Sequence, residues 1–391
     1  MSAKQDRTQR HAPPQKRKSG KSEPEGAPSF DLAITAAGRP ADPRITRWAE
    51  LVVRLIAESP YLRKHRPRVY IVVNPAAGGF ARRKRFAAHL AGLEHAVERY
   101  AACDPATQPE WLLLESRYPG HATEIGKAVV REVERNRSRA VLITAGGDGT
   151  HSECIGPLLD LSGKPLKHLA VFRLPMGSGN DGADADSMAH ACSMLPRLSK
   201  IGHTAAVRVT PRNASSRYSL NITSIGIDAF VTHTTNKLRK RLPGDTYKAV
   251  ADLATLFYEP IYKVGHMSAV LRSRDRKEPL TLAGNFILFA IGVSGHRYYG
   301  DHKRILPSDD NVCAIRTVNL LRKLMLKKLI YKGEHIYQSN VEMASAESVE
   351  IRYDRSAPLQ VDGEGRWLTP DDFPVMFERT EPVLQVLKVP E

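Results

Sequence analysis

Gly146-Gly147-Asp148-Gly149-Thr150 sets three glycines and one carboxylate directly after the apolar run Ala140–Thr144. Glycines let a backbone turn tightly and approach a bulky anion with no Cβ in the way. The helix start predicted to follow offers that anion unpaired N–H groups and a partial positive charge. Asp148 would repel a phosphate unless a cation stood between them. The pentapeptide therefore points to a Mg²⁺-nucleotide rather than a bare dinucleotide. Two more apolar runs end in the same style. Val69–Val73 leads into Asn74-Pro75-Ala76-Ala77-Gly78-Gly79, and Leu169–Leu174 into Pro175-Met176-Gly177-Ser178-Gly179-Asn180-Asp181.

Segments with helical spacing, Arg83–Leu93 and Ala122–Glu134, lie between these runs. Alternating strand and helix predicts a parallel sheet whose ligand crevice lies beyond the carboxyl ends of its strands. Singly, each turn reads equally well as an ordinary strand-to-helix connection. Three at corresponding strand ends predict one converging site. After His203 the pattern changes to short strands with turn signals: Ala206–Val209, Tyr218–Thr223, His266–Arg272, Thr281–Ile291 and Val312–Val318, interrupted by a helix over Thr246–Tyr258. That change predicts a second, mostly antiparallel β domain. Residues 1–45 are poor in large apolar side chains and read as a disordered basic tail. Residues 46–203 read as an α/β nucleotide-binding domain, opened by a helix over Ile45–Ser59, and residues 204–391 as the β domain.

The 391 residues are 42% hydrophobic and carry a formal charge of +16. No apolar stretch is long enough to cross a bilayer, and the first residues lack the apolar core of a secretory signal. Cys103, Cys154, Cys192 and Cys313 form no CxxC pair, and the 14 histidines form no HExxH. Zinc is not expected; reduced thiols in a cytoplasmic protein are. The positive charge fits an anionic membrane surface through Arg82–Arg85, Lys237–Arg241 and Arg322–Lys328. No nucleic-acid-binding signature accompanies it. Leu320–Lys332 suits an interfacial helix and equally a strand and loop with snorkelling lysines. His121, after a glycine and before a helix, reads as a packing or capping residue.

Taken together, these residues resemble the catalytic domain of the diacylglycerol kinase and sphingosine kinase family. The resemblance rests on Asn74-Pro75…Gly78, on Gly146–Thr150 with Glu153, and on the Gly177-Ser178-Gly179-Asn180-Asp181 turn. Gly120-His121-Ala122, Leu220-Asn221, Gly226-Ile227-Asp228-Ala229 and Gln360-Val361-Asp362-Gly363-Glu364 add to it. It spans residues 68–365. The double-glycine–aspartate turn alone is shared with NAD kinases. There is neither a GxxxxGK[ST] loop nor a protein-kinase signature.

The resemblance implies a Rossmann-like N-terminal domain and a C-terminal β-sandwich-like domain, the last segment returning to the first domain. It implies ATP and Mg²⁺, a membrane lipid acceptor such as diacylglycerol, and peripheral association with the membrane. A sphingoid-base or ceramide kinase, an NAD kinase and a catalytically inactive nucleotide-sensing module are the alternatives, and a homodimer is left open. ATP is expected to contact Asn74, Ala76, Gly78, Ser116, Gly146, Gly147, Asp148, Gly149, Thr150, Glu153, Gly177, Ser178, Gly179 and Asn180. Asp148 and Asp310 are expected to serve the metal. Asp362 and Glu364 are both candidates for the base that takes the acceptor proton. The chain departs from the family at Ala205–Arg208, where many bacterial members carry an aspartate. It departs again at Leu306–Asn311 and at Gly292–Gly300, and these changes bear on a second metal site and the lipid pocket.

Overall fold

The computed structural model describes residues 42–101, 108–160, 167–177, 179–239, 258–259, 262–300 and 303–390. The expected basic tail, Cys103, Ser178 and nearly all of the expected helix over 246–258 lie outside these residues.

The described chain opens with α1 (Pro43–Ala57) and α2 (Pro60–His65), followed by β1 (Arg68–Val73), α3 (Gly78–Ala81), α4 (Arg83–Tyr100) and β2 (Trp111–Glu115). Then come α5 (His121–Asn136), β3 (Ala140–Gly146), α6 (Asp148–Leu159), β4 (Leu169–Pro175), α7 (Met188–Met194) and β5 (Lys200–Thr204). Every residue of β3 and β4 is buried, as central strands of a sheet covered on both faces must be. Side chains alternate between the faces. Val69, Ile71, Val73, Val141 and Ile143 pack with Trp48 and Leu55 of α1 and Leu93 of α4. Tyr70, Val72 and Leu142 pack on the opposite face with Ile125 and Val129 of α5 and Ile155 of α6. Helices α5 and α6 approach closely because Gly126 has no side chain. A Cβ there would lie 2.1 Å from the Cys154 carbonyl oxygen.

The second region comprises β6 (Val207–Pro211), β7 (Arg217–Ser219), β8 (Ile222–Gly226), α8 (Ile227–Arg239), β9 (Met267–Arg272), β10 (Leu280–Gly284) and β11 (Phe286–Gly292). It continues through β12 (Arg297–Tyr299), β13 (Lys303–Leu306), β14 (Val312–Arg316), α9 (Leu320–Lys332), β15 (Val341–Ala344) and β16 (Ser348–Tyr353). The last elements are β17 (Ala357–Val361), β18 (Glu364–Leu368), β19 (Val375–Arg379) and β20 (Leu384–Lys388). Two antiparallel sheets, ordered β10-β9-β16-β19-β6-β7 and β15-β14-β11-β8-β17-β18, enclose a shared core that includes Phe289, Leu359 and Phe377. The first sheet is ordered β2-β1-β3-β4-β20-β5: β20 lies parallel to β4 and antiparallel to β5. The fold class is thus the expected α/β domain joined to a β-sandwich-like one.

Two local expectations need correction. Thr281–Ile291 is two strands, parted at Asn285 after Gly284, whose φ of +150° breaks the extended run. Tyr218–Thr223 is likewise split, between β7, which ends at Ser219, and β8, which starts at Ile222. Of the two readings of Leu320–Lys332 the helix holds, capped by the Asn319 side chain and ended by left-handed Gly333. No described helix is long and apolar enough to cross a membrane.

Candidate functional site

The parallel ladder brings the turns to one level. Ser116 N–H donates to Val73 O (2.8 Å), Asn74 N–H to Ala145 O (3.0 Å) and Met176 N–H to Gly146 O (3.1 Å). Side chains then tie the turns together. Asn74 Oδ1 accepts from Ala76 N–H (3.0 Å), while its Nδ2 donates to Thr150 Oγ1 (3.0 Å). Gly78 opens α3, and the next residue's N–H reaches Met176 O at 2.7 Å. Gly177 N–H donates to Asn180 Oδ1 at 2.6 Å. Glycine is required where two turns meet: a Cβ on Gly177 would lie 2.4 Å from the Gly147 Cα. No side chain caps the start of α6. Its first-turn N–H groups, which the helix itself does not use, are set to receive an anion.

Asp148 is the first residue of α6, and its Oδ1 accepts from Gly182 N–H (2.8 Å). Burial, then the nearby charge of Asp181, pushes its carboxyl up to about 7. A Cβ on Gly179 would lie 3.3 Å from Asp148 Oδ2 and 3.5 Å from Asp181 Oδ2. The charge of Asp181 raises the proton affinity of Asp148, and two carboxylates flanking Gly179 offer the hard oxygen donors that Mg²⁺ prefers. Asp181, which also accepts from Gly300 N–H (2.7 Å), is a site residue that the sequence argument quoted but did not assign. Asp310 stands apart from this pair: its carboxylate accepts from Ser345 Oγ (2.7 Å) in the β domain. Among the described residues, no cluster of three or more His, Cys, Asp or Glu is arranged to hold a metal.

The turns open into a cleft of about 1200 Å³. Asn74, Ala76, Ser116, Gly149, Thr150 and Glu153 line one side. Glu153 Oε2 accepts from Gly120 N–H (3.3 Å), and burial holds its carboxyl above the ordinary range. His121 stacks on Tyr118 at 4.4 Å and takes Arg117 N–H on Nδ1, which orders the loop beside Ser116. The neighbouring His151 is buried and bonded to Thr144. Desolvation holds it down to about 3, so it stays neutral.

The opposite side belongs to the β domain. Phe230, His233 and Lys237 from α8, together with Tyr262 and Trp367, line it. Tyr262 packs against Trp367 at 4.9 Å and against Phe230 at 5.0 Å. Lys237, a member of one of the basic clusters, borders the cleft. None of these aromatic residues was singled out from the sequence. Their separation along the chain leaves no local signal.

Between the two sides stands the β17–β18 hairpin. Asp362 (φ +45°) and Gly363 (φ +84°) have the two positive dihedrals of a type I′ turn. The Asp362 carboxylate is buried and takes four donors. Ser219 Oγ (2.7 Å) and Asn221 N–H (3.1 Å) reach Oδ1; Ser152 Oγ (2.5 Å) and Leu220 N–H (2.6 Å) reach Oδ2. Burial raises its proton affinity, and the four donors oppose that rise. Asp362 thereby ties α6 to the β7–β8 connection. Glu364 differs. It is exposed, it lines the cleft, and its Oε1 is 2.7 Å from where a Cβ on Gly149 would stand.

Residues 68–210 match the diacylglycerol kinase catalytic domain, and residues 221–388 match the YegS C-terminal NAD kinase beta sandwich-like domain. The chain thus carries a diacylglycerol kinase catalytic domain followed by a YegS-type C-terminal domain. The diacylglycerol kinase of Bacillus subtilis is 22% identical to this chain over 329 residues, covering 81% of this chain and 96% of that one. The diacylglycerol kinase of Staphylococcus carnosus is 24% identical over 314 residues, covering 79% and 92%. A crystal structure of a diacylglycerol kinase from Bacillus anthracis superposes with a TM-score of 0.53 at 14% identity, over 83% of this chain and 97% of that one. At that identity, the superposition establishes the shared fold of these kinases. The cleft between the two domains is bordered by the turns after β1, β2 and β3 and by the Asp-Gly-Glu hairpin.

Proposed function

We propose that the protein transfers the γ-phosphate of ATP to the hydroxyl of a membrane lipid, with diacylglycerol as acceptor and phosphatidate as product. One observation carries the reading. Turns from three separate parallel strands and the Asp-Gly-Glu hairpin of the other domain border a single cleft. Phosphoryl transfer asks a protein mainly for positioning and for neutralisation of charge. The start of α6 and the Gly147–Gly177 contact supply a close backbone approach to phosphates. Asn74 and Thr150 hold that approach rigid. Asp148 and Asp181 would hold Mg²⁺, which when bound spreads the negative charge of the phosphates. The similarity to enzymes named diacylglycerol kinase favours a glycerolipid acceptor, and the Phe230–Tyr262–Trp367 side gives an apolar molecule a surface to lie on.

The acceptor hydroxyl needs a base within hydrogen-bond reach. Of the two hairpin carboxylates, Glu364 is the one that lines the cleft. Asp362, with both oxygens engaged by four donors, acts as the positioning residue that fixes the hairpin. Radiolabelled ATP presented to the purified protein with a panel of lipid alcohols should label diacylglycerol. Glu364→Gln should lower kcat by about 10²–10⁴ with ATP affinity retained. Asp362→Asn should lower stability as well as rate. Phosphorylation of NAD without any lipid product would overturn the lipid-kinase reading. Loss of rate in Asp362→Asn at unchanged stability, with an active Glu364→Gln, would exchange the two roles.

A further inference from the structure

Helix α9 shows solvent an unusual face. Leu321 is 78% exposed, and Leu320, Leu324, Met325 and Tyr331 are exposed with it; of the whole helix only Lys323 and Leu326 are buried. Arg322, Lys323, Lys327, Lys328 and Lys332 make it strongly basic, and it contains no Asp or Glu. At about 100° per residue, Leu320, Leu321, Leu324, Met325 and Tyr331 fall on one side, with Lys328 and Lys332 among them and Arg322 at its margin. Five large apolar side chains exposed within one helix are more than the singly scattered surface hydrophobics of an ordinary soluble protein. The Asn319 cap and the Gly333 terminus specify the helix locally, so burial is not what holds these side chains in place.

The helix also stands beside the cleft. Its one buried lysine, Lys323, forms an ion pair with Glu259. The adjacent Tyr258 packs on Phe230 at 5.5 Å and on Tyr262 at 5.7 Å, and these are the rings that continue to Trp367 in the cleft. The exposed face is thus tethered to the aromatic side on which the acceptor is proposed to lie.

We propose that α9 is the membrane-docking element, lying in the headgroup plane of an anionic bilayer. Leu320, Leu321, Leu324 and Met325 enter the acyl boundary, and Arg322, Lys328 and Lys332 meet lipid phosphates. The mixture fits this occupant better than a protein partner. Lysines interspersed among leucines would be left unpaired in a dry protein interface, whereas their stems can lie along acyl chains with the ammonium among phosphates. Docking this way sets the aromatic side of the cleft next to the surface from which a lipid hydroxyl enters, a step that rests on the lipid-kinase reading.

Vesicle cosedimentation of the full chain tests the docking itself. Wild-type protein should bind vesicles of phosphatidylcholine and phosphatidylglycerol at least about tenfold more tightly than pure phosphatidylcholine, and should release as salt rises. Leu321→Glu combined with Leu324→Glu should cut that binding by about tenfold or more at an unchanged thermal midpoint. Arg322→Gln with Lys328→Gln and Lys332→Gln should remove most of the salt dependence. The Glu variant should still phosphorylate a dispersed short-chain diacylglycerol at the wild-type rate while losing activity on vesicles. Wild-type vesicle binding by both variants would overturn the proposal. So would a wild-type dimer that the glutamates dissolve, seen by sedimentation velocity. If neither protein phosphorylates any lipid, the kinase reading fails while the vesicle result still decides the role of α9.

Discussion

The two sides of the cleft are built from different materials. The side formed by the first sheet is largely backbone: glycines, helix N–H groups and short polar side chains that brace one turn against the next, with Arg117, Tyr118 and Glu153 at its edge. The β-domain side is made of side chains, with rings from α8, β18 and residue 262, one cation (Lys237), one carboxylate (Glu364) and one hairpin. A phosphate chain is the same in every nucleotide and suits a rigid, side-chain-poor receptor. An acceptor that differs from one enzyme to another suits a surface whose composition can change without unfolding a sheet.

Substitutions should therefore behave differently on the two sides. The largest effect is expected from Gly177→Ala, whose Cβ would lie 2.4 Å from the Gly147 Cα and must part the two turns. ATP affinity measured by calorimetry should fall about a hundredfold or more, with about 1–3 kcal/mol lost from stability. Near wild-type ATP affinity in this variant would break the distinction. Trp367→Ala should raise KM for lipid about tenfold, on the order of 1–3 kcal/mol of contact, and should leave ATP affinity within about twofold. Equal losses for ATP and lipid would show one continuous site rather than two sides.

The smallest effect sharpens the electrostatics of the backbone side. The Asp148 carboxyl is raised in the fold from its ordinary 3.8 to about 7. A raised value means that the fold favours the protonated form. That contribution is complete below about 3.8 and is lost as pH climbs through 7. The metal-free protein should thus lose a few degrees of thermal midpoint relative to Asp148→Asn between about pH 5 and pH 8. Added Mg²⁺ should restore more at the higher pH. A difference between the two proteins that does not change with pH would show that Asp148 carries no such strain.

How much of this was legible follows the same division. The strand runs ending in Asn74, Gly146 and Gly177 announce themselves because period, apolar content and glycine are local features. Fold class and the convergence of these turns could be read directly. Asp181 stood inside a quoted motif, but its opposition to Asp148 across Gly179 is a three-dimensional fact. The aromatic group was hidden for a stronger reason: Phe230, Tyr262 and Trp367 are brought together by sheet register, which no short window encodes. Helix α8 was missed because β-branched Ile227, Val231, Thr232, Thr234 and Thr235 favour strands when taken alone. Packing of α8 along β17 and β18 overrides that preference. The Asp-Gly step of the hairpin was visible, yet only the structure separates a buried tie at Asp362 from an exposed carboxylate lining the cleft at Glu364.

Strand β20 has a consequence for synthesis. Because residues 384–388 sit between β4 and β5, the first sheet is left with a gap until the whole β domain that precedes this strand has been synthesised. Nascent chains paused before that point would bare the flank of β4 to solvent and to one another. Late translation, rather than the first domain's own sequence, then governs when this half becomes whole.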